Sequence, residues 1–524
     1  MMTSNMKSKY NKAFSILSIV GLILLSGCYK DKSNEGLIDI NKIGIVDAKA
    51  TGVLTVFQND TLVLKPTLSL SLQEKANNLE YSWVQYSSNG NISLAAPRSV
   101  IASMYELKLP ISPNEYTLGE PYVLRFQVKD KESGVTYYLN YNIVIGNKYG
   151  NGWLVLEEKA GRGDLSFIFP DSTVEHNVYT SRNPNAPITG PKKLELTPFV
   201  ITDDISAVGK RLYILADNGS QEYNYLTMAK KFDFSFEFYQ APAVIKPQVT
   251  TWLSASAAVG NSRSGNLGIV INNNRAHSNL VGGFPGVKKW GDIALTPTGT
   301  QNYSLAPFTA GGPNVAAIVY DNTSKRFYNI VAYSATPAAG ALTPFANTAS
   351  STAFDLNNVG MTEIFQDSAD VIHNYNAVMR SDDNQPYLFR FKTVNTSTAT
   401  PNLSVSKTLM NAPGILNYTA AAGSTNTSHI YYSNANVLSR YEVSSNSIVE
   451  SYSFPPSEQV TAIKFAKFNL NDKESVKLAR LVVATWNGTV GKLYYFALSQ
   501  TGAIGNPTKQ FTGFGKVVDM AYKY

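Results

Sequence analysis

The chain has 524 residues, with 45 Lys+Arg against 38 Asp+Glu, a formal net charge of +7 and only 16% charged residues. That length exceeds what one small core organises and predicts two or more domains. The basic residues are scattered, with no Lys/Arg run interleaved with aromatics, which excludes nucleic-acid binding; abundant Tyr, Phe, Thr, Val, Asn and Ser predict an all-β exported protein with polar loops.

Residues 1–27 read as an export signal. Lys7, Lys9 and Lys12 make a positive start, and Ala13 to Leu25 is an apolar run of about a dozen residues, too short to span a bilayer as a helix. The run ends in Leu25-Ser26-Gly27-Cys28, which resembles the lipobox of bacterial lipoproteins. The resemblance implies cleavage before Cys28, a diacylglycerol on its thiol and a third acyl chain on its freed amine. The alternative is a plain secretory signal followed by an incidental cysteine. Cys28 is the only cysteine of the chain, however, and its position explains why an exported protein keeps one. No disulfide then supports the fold. Several acyl chains anchor stably, at about 0.8 kcal/mol for each buried methylene. Residues 28–36 are polar and read as a tether, and no later segment approaches 18 continuous apolar residues, so the expectation is a membrane anchor and no span. Asp31 and Glu35 fit the mixed-charge stretch that favours surface display in Bacteroidetes-type lipoproteins.

Residues 37–147 read as a β-sandwich. Leu62 and Leu64 alternate, as do Leu68, Leu70 and Leu72; Tyr81-Ser82-Trp83-Val84 is a strand with a central tryptophan. Leu124, Phe126 and Val128 alternate before the turn Asp130–Gly134, and Leu139, Tyr141, Ile143 and Ile145 alternate after it. Period-2 alternation between turns is the strand signal, and about seven strands in this length suit an immunoglobulin-like sandwich with Trp83 in its core.

The stretch from Cys28 to Lys32, the strand around Trp83, and Val123 to Ile145 followed by Gly152-Trp153-Leu154-Val155-Leu156 together resemble the PKD-like lipoprotein family of Bacteroidetes. Members of that family resemble accessory lipoproteins encoded beside SusC/SusD-type outer-membrane import systems. The resemblance therefore implies an outer-membrane lipoprotein facing the cell exterior, with such an importer as partner.

Residues 148–524 show no helical periodicity. A unit of apolar strand, Asn/Asp/Gly turn and aromatic-rich strand recurs seven times, starting at Trp153, Leu212, Leu267, Ala316, Ala377, Ile430 and Arg480. Each is the middle of a four-stranded blade if the fold is a β-propeller, and a spacing of about 55 residues predicts seven blades. A series of sandwiches is the alternative. The segment from Gly515 to Tyr524 resembles the strand at Val460 but has no hairpin after it, whereas the hairpin at Trp153 lacks a strand before it. The two complete each other, closing the ring without an open edge. Strict alternation would point Val517, Asp519 and Ala521 to one face, and Val518, Met520 and Tyr522 to the other.

Motifs for catalysis are missing from the sequence. His176, His277, His373 and His429 are scattered without metal-ligand spacing, so no metal or other cofactor is expected. There is no GxSxG elbow or P-loop. Paired carboxylates need only closeness in space and stay open as an alternative. Ser381-Asp382-Asp383-Asn384 reads as a solvated turn in preference to a calcium loop. Asp60-Thr61, Asp171-Ser172 and Asp367-Ser368 match the short O-glycosylation acceptor motif of these bacteria, at a length where chance matches are common. The expectation is a non-catalytic lipoprotein that binds peptide or glycan, or docks on an importer, with no binding residue assigned. The alternative is a propeller-type polysaccharide hydrolase or lyase.

Overall fold

The computed structural model describes residues 40–524, apart from 87–97, 198–209, 254–265, 282–288, 312–316, 332–339, 346–352, 372, 394–402, 466–479 and 524. The readings on residues 1–36, Cys28 among them, lie outside the described residues. The chain divides into two compact units between Lys148 and Tyr149.

Among the described residues, the N-terminal unit is a nine-stranded β-sandwich. Five strands form one sheet in the order Val53–Phe57, Thr136–Gly146, Pro121–Asp130, Leu79–Tyr86, Arg98–Ala102. Two pairs complete it: Ile43–Val46 with Thr67–Leu70, and Thr61–Leu64 with Leu107–Pro110. The alternating residues fill the core: Leu64, Leu124, Phe126, Val128, Tyr141 and Ile143 are wholly buried. Trp83 sits among them as expected, 4.7 Å from Phe126 between ring centres, with its indole N–H donating to Met104 O at 3.0 Å. The count exceeds seven because short strands such as Ile43–Val46 carry too few residues to declare a period.

The C-terminal unit is a seven-bladed β-propeller. From inner to outer strand, blade 1 is Lys516–Lys523, Gly152–Lys159, Arg162–Ile168 and Val174–Glu175. Blade 2 is Thr189–Leu196, Arg211–Asn218, Gln221–Asn224 and Lys230–Asp233; blade 3 is Pro247–Leu253, Asn266–Asn272 and Arg275–Val281. Blade 4 is Ile318–Asp321, Arg326–Val331 and Ala341–Thr343, with bridges from Leu305 and Ala310 on its inner side. Blade 5 is Thr362–Ser368, Asn374–Arg380, Pro386–Lys392 and Ser404–Leu409. Blade 6 is Ala420–Gly423, His429–Asn434, Val437–Glu442 and Ser447–Ser453; blade 7 is Gln459–Phe465, Arg480–Trp486, Gly491–Ala497 and Pro507–Phe514. Each of the seven hairpins read from the sequence lies within one blade: it is the middle pair in the five four-stranded blades, the outer two of the three described strands in blade 3, and the first two in blade 4, inside which lie the Leu305 and Ala310 bridges.

Seven apolar interfaces join the blades into a ring. Leu154 and Leu156 of blade 1 pack with Leu212 and Ile214 of blade 2, whereas Trp153 and Val155 pack with Val482 and Ala484 of blade 7. Tyr213 and Leu215 meet Val270 of blade 3, and Ile269 and Ile271 meet Val319 of blade 4. Ile318 and Tyr320 pack with Ala377 and Met379 of blade 5; Val378 packs with Ile430 and Tyr432 of blade 6, and Tyr431 with Leu481 and Val483 of blade 7. A second strand buried on both faces needs apolar residues in both rows, which is why these segments read as short continuous apolar runs.

The closing strand pairs as predicted, Gly152 opposite Lys523 and Leu156 opposite Asp519. Its register carries one correction. Glu157 pairs with Val517, so Val518 is an extra residue, and this bulge breaks the alternation. Val517 and Met520 therefore share the blade 7 side, and Val518 and Ala521 the blade 2 side.

Candidate functional site

The inner strands of blades 1, 2, 5, 6 and 7 line a channel pocket of about 330 Å³. Charge enters it from single residues on different strands. Asp519, on the closing strand, accepts a hydrogen bond from Leu194 N of blade 2 at 3.0 Å on Oδ2. Its Oδ1 lies 3.0 Å from Lys464 Nζ of blade 7. One carboxylate thus joins three blades. Burial in the channel wall acts to lower the Lys464 pKa, but Asp519, with Glu195 and Asp367, outweighs it and holds the ammonium above its ordinary value. Lys193 Nζ and Glu195 Oε1 pair at 2.8 Å in the same wall. Asp367 Oδ2 of blade 5 accepts from Gly423 N of blade 6 at 2.9 Å. Gly423 has no room for a side chain, since a Cβ there would lie 2.4 Å from Ser368 O.

Lys523 ends the closing strand beside this channel. It is fully buried, its Nζ donates to Tyr225 O and lies 4.2 Å above the Tyr225 ring. Burial, with Lys210 nearby, pushes its pKa down to about 6.

Sequence does not bring these channel groups together, because they lie on separate inner strands that only the ring makes neighbours. The histidines stay apart: His176, His277, His373 and His429 belong to blades 1, 3, 5 and 6. No cluster of three His, Cys, Asp or Glu side chains suited to a metal occurs among the described residues. Asp382 pairs with Lys325 at 2.6 Å, and Ser381 N donates to Gln385 O at 3.0 Å, so that segment is a hairpin turn. Of the acceptor-like pairs, Asp171 holds its own turn through Thr173 N at 2.9 Å, and Asp367 belongs to the channel wall.

Two constellations escaped sequence reasoning. Glu222 and Glu237 come together around Arg211, at 3.5 and 3.6 Å, with Lys231 Nζ 2.9 Å from Glu222. Burial and the neighbouring Glu222 push the Glu237 carboxyl well above the usual carboxylate range. Both acids are closed off, at 1% and 4% exposure, so they do not face a glycosidic bond. The second is Ser166, whose Oγ donates to Glu157 Oε1 at 2.6 Å and lies 2.9 Å from His176 Nδ1. In an acyl-transfer triad the carboxylate stands behind the imidazole. Here the carboxylate holds the serine proton itself, and Ser166 is fully buried.

Fold and channel together define a class, a seven-bladed β-propeller preceded by a PKD-like β-sandwich. The PKD-like family matches residues 28–191, a stretch that covers the sandwich, the blade 1 strands Gly152–Glu175 and the start of blade 2. No curated protein matches the chain. Among solved structures it is similar to a quinonprotein alcohol dehydrogenase-like protein from Bacteroides thetaiotaomicron, at 13% identity, 93% of this chain, 100% of that one and a TM-score of 0.42. It is also similar to AztD from Citrobacter koseri, at 11% identity, 84% and 98% coverage and a TM-score of 0.33. Likenesses this distant carry no activity over to this chain.

Proposed function

We propose that the protein is a non-catalytic lipoprotein, held by acyl chains on Cys28 at the outer face of an outer membrane, that assists a SusC/SusD-type importer by binding peptide or glycan or by docking on the importer. The observation that carries this reading is the state of the channel charges. Both oxygens of Asp519 are committed to Leu194 N and Lys464, and Asp367 is committed to Gly423 N. A general acid or base must exchange its proton with a substrate, and these carboxylates are engaged in joining blades. The match of residues 28–191 to the PKD-like family supports the same reading.

The test is fractionation and co-purification. Cys28→Ser should release the protein from membranes in detergent-free buffer, and the wild type should bring an outer-membrane importer with it after gentle detergent extraction. Wholly membrane-bound Cys28→Ser protein would remove the anchor; a wild type that always purifies alone would remove the importer.

A further inference from the structure

Glu363 is the second residue of the blade 5 inner strand, Thr362–Ser368, at the place where that strand meets two interfaces. Met361, two residues before it, packs into the blade 4–5 core with Ile318 and Tyr320; Phe365, two residues after it, packs into the blade 5–6 core with Ile430 and Tyr432. Both neighbours grip the backbone around it. Tyr320 of blade 4 donates its hydroxyl to Met361 O, and Asn322 Oδ1 accepts from Glu363 N at 2.9 Å. Tyr418, just before blade 6, donates its hydroxyl to Ile364 O at 2.7 Å. Glu363 pairs with Met379 and Phe365 with Val378, so Ile364 is an extra residue, a bulge immediately after the acid. Gly360, at φ 74°, leaves the chain soft on the other side.

The carboxyl itself has nothing to bond. Glu363 is 4% exposed, and neither of its oxygens has a hydrogen-bond partner or a counter-ion among the described residues. The groups around it explain why. A phenol carries one proton, and Tyr320 and Tyr418 direct theirs to backbone carbonyls. Asp321 turns its carboxylate onto Thr323 N and Ser324 Oγ, and Lys325 pairs with Asp382. From the next strand of blade 5 the facing residue is Met379, and Arg380 beside it is exposed. A carboxylate here is a buried, unpaired charge, which costs far more than the neutral acid does. Burial alone pushes the Glu363 carboxyl well above the usual carboxylate range, and Tyr320 and Tyr418 are titratable groups that sense its charge. Glu237, also raised, differs because Arg211 stands 3.6 Å away as a counter-ion.

We propose that Glu363 is a proton-operated joint between blades 4, 5 and 6: with its proton it stays closed in the ring, and on losing that proton it opens Met361–Phe365 locally to solvent. The O–H bond is the one covalent bond that breaks, and water takes the proton. The sign follows from linkage. Below the ordinary value of 4.5, folded and unfolded chains both hold the proton. Above it the unfolded or opened chain releases the proton and the closed chain keeps it. Closure therefore weakens as pH rises, by about tenfold in the opening equilibrium for each pH unit until the closed group itself titrates.

The test compares the full chain with two variants between pH 5 and pH 9, by thermal melting and by hydrogen exchange. Glu363→Gln keeps the shape of the protonated acid with no proton to lose; Glu363→Met removes the polar group, should the amide prove hard to bury. Each variant is read against wild type at the same pH, which cancels the opposite contribution of Lys523. The difference in propeller melting temperature should move steadily in favour of both variants as pH rises. At pH 8, amide exchange over residues 318–323 and 361–380 should be at least tenfold faster in wild type than in Glu363→Gln, with blades 1 and 2 unchanged. A melting difference that does not vary with pH in either variant would overturn the joint. Equal exchange over those residues, or faster exchange spread evenly over all blades, would do so too.

Discussion

Asp519 shows how one side chain can hold several blades. Asp519→Ala removes the acceptor for Leu194 N and the counter-ion of Lys464 together. Truncating one member of a buried charge network costs about 3–5 kcal/mol, less where a partner reaches solvent. Lys464 is a third exposed, so a loss of about 2–3 kcal/mol is expected, with Asp519→Asn milder because it keeps an acceptor. The check is the denaturant midpoint of the propeller, which should fall in that order. Lys523 gives a pH signature of the opposite kind. Its pKa is about 6 in the folded protein against an ordinary 10.5, so between those values the unfolded chain binds a proton that the folded chain does not. Stability from this group therefore rises with pH through that window, and below pH 6 the folded state carries the full cost of a buried ammonium. Lys523→Met should flatten the rise in melting temperature from pH 6.5 to 9.5. Parallel pH profiles for variant and wild type would contradict the burial argument.

At the scale of elements, Trp83 carries the sandwich as the second strands carry the propeller. It is wholly buried against Phe126 and Tyr141. Trp83→Ala should cost about 3–5 kcal/mol, because a cavity of that size does not collapse fully. The loss should appear only in the unfolding of the N-terminal unit, which limited proteolysis can distinguish. Strands of this kind were legible in the sequence because a two-residue period and an Asn/Asp/Gly turn are both local signals. The seven hairpins had both. The bulge at Val518 had neither, since it arises from pairing with Glu157, some 360 positions earlier. The channel was illegible for the same reason: Leu194, Asp367, Lys464 and Asp519 are each unremarkable within their own strands, and only ring closure makes them neighbours.

For the molecule as a whole, the seven interfaces make the propeller depend on its last ten residues. Deleting Gly515 to Tyr524 strips Val517 and Met520 from the blade 7 interface and Val518 and Ala521 from the blade 2 interface. It also removes the Asp519 links and the N–H that Gly515 donates to the buried Glu157. Fully burying one large apolar side chain contributes about 1.5–3 kcal/mol. Several such losses together approach the whole stability of a typical domain, about 5–15 kcal/mol. An ordinary terminus would only fray, but here the inner edge of blade 1 is left with unpaired backbone from Gly152 to Glu158. The expected outcome is loss of the cooperative melting transition of the propeller, with rapid proteolysis beyond Tyr149. The sandwich has its own core, built wholly from residues 43–145, and its transition should remain in the same protein. An unchanged propeller melt after the deletion would mean that the pairing of Gly152–Lys159 with Lys516–Lys523 contributes little, and that the other five interfaces hold the blades without a closed ring.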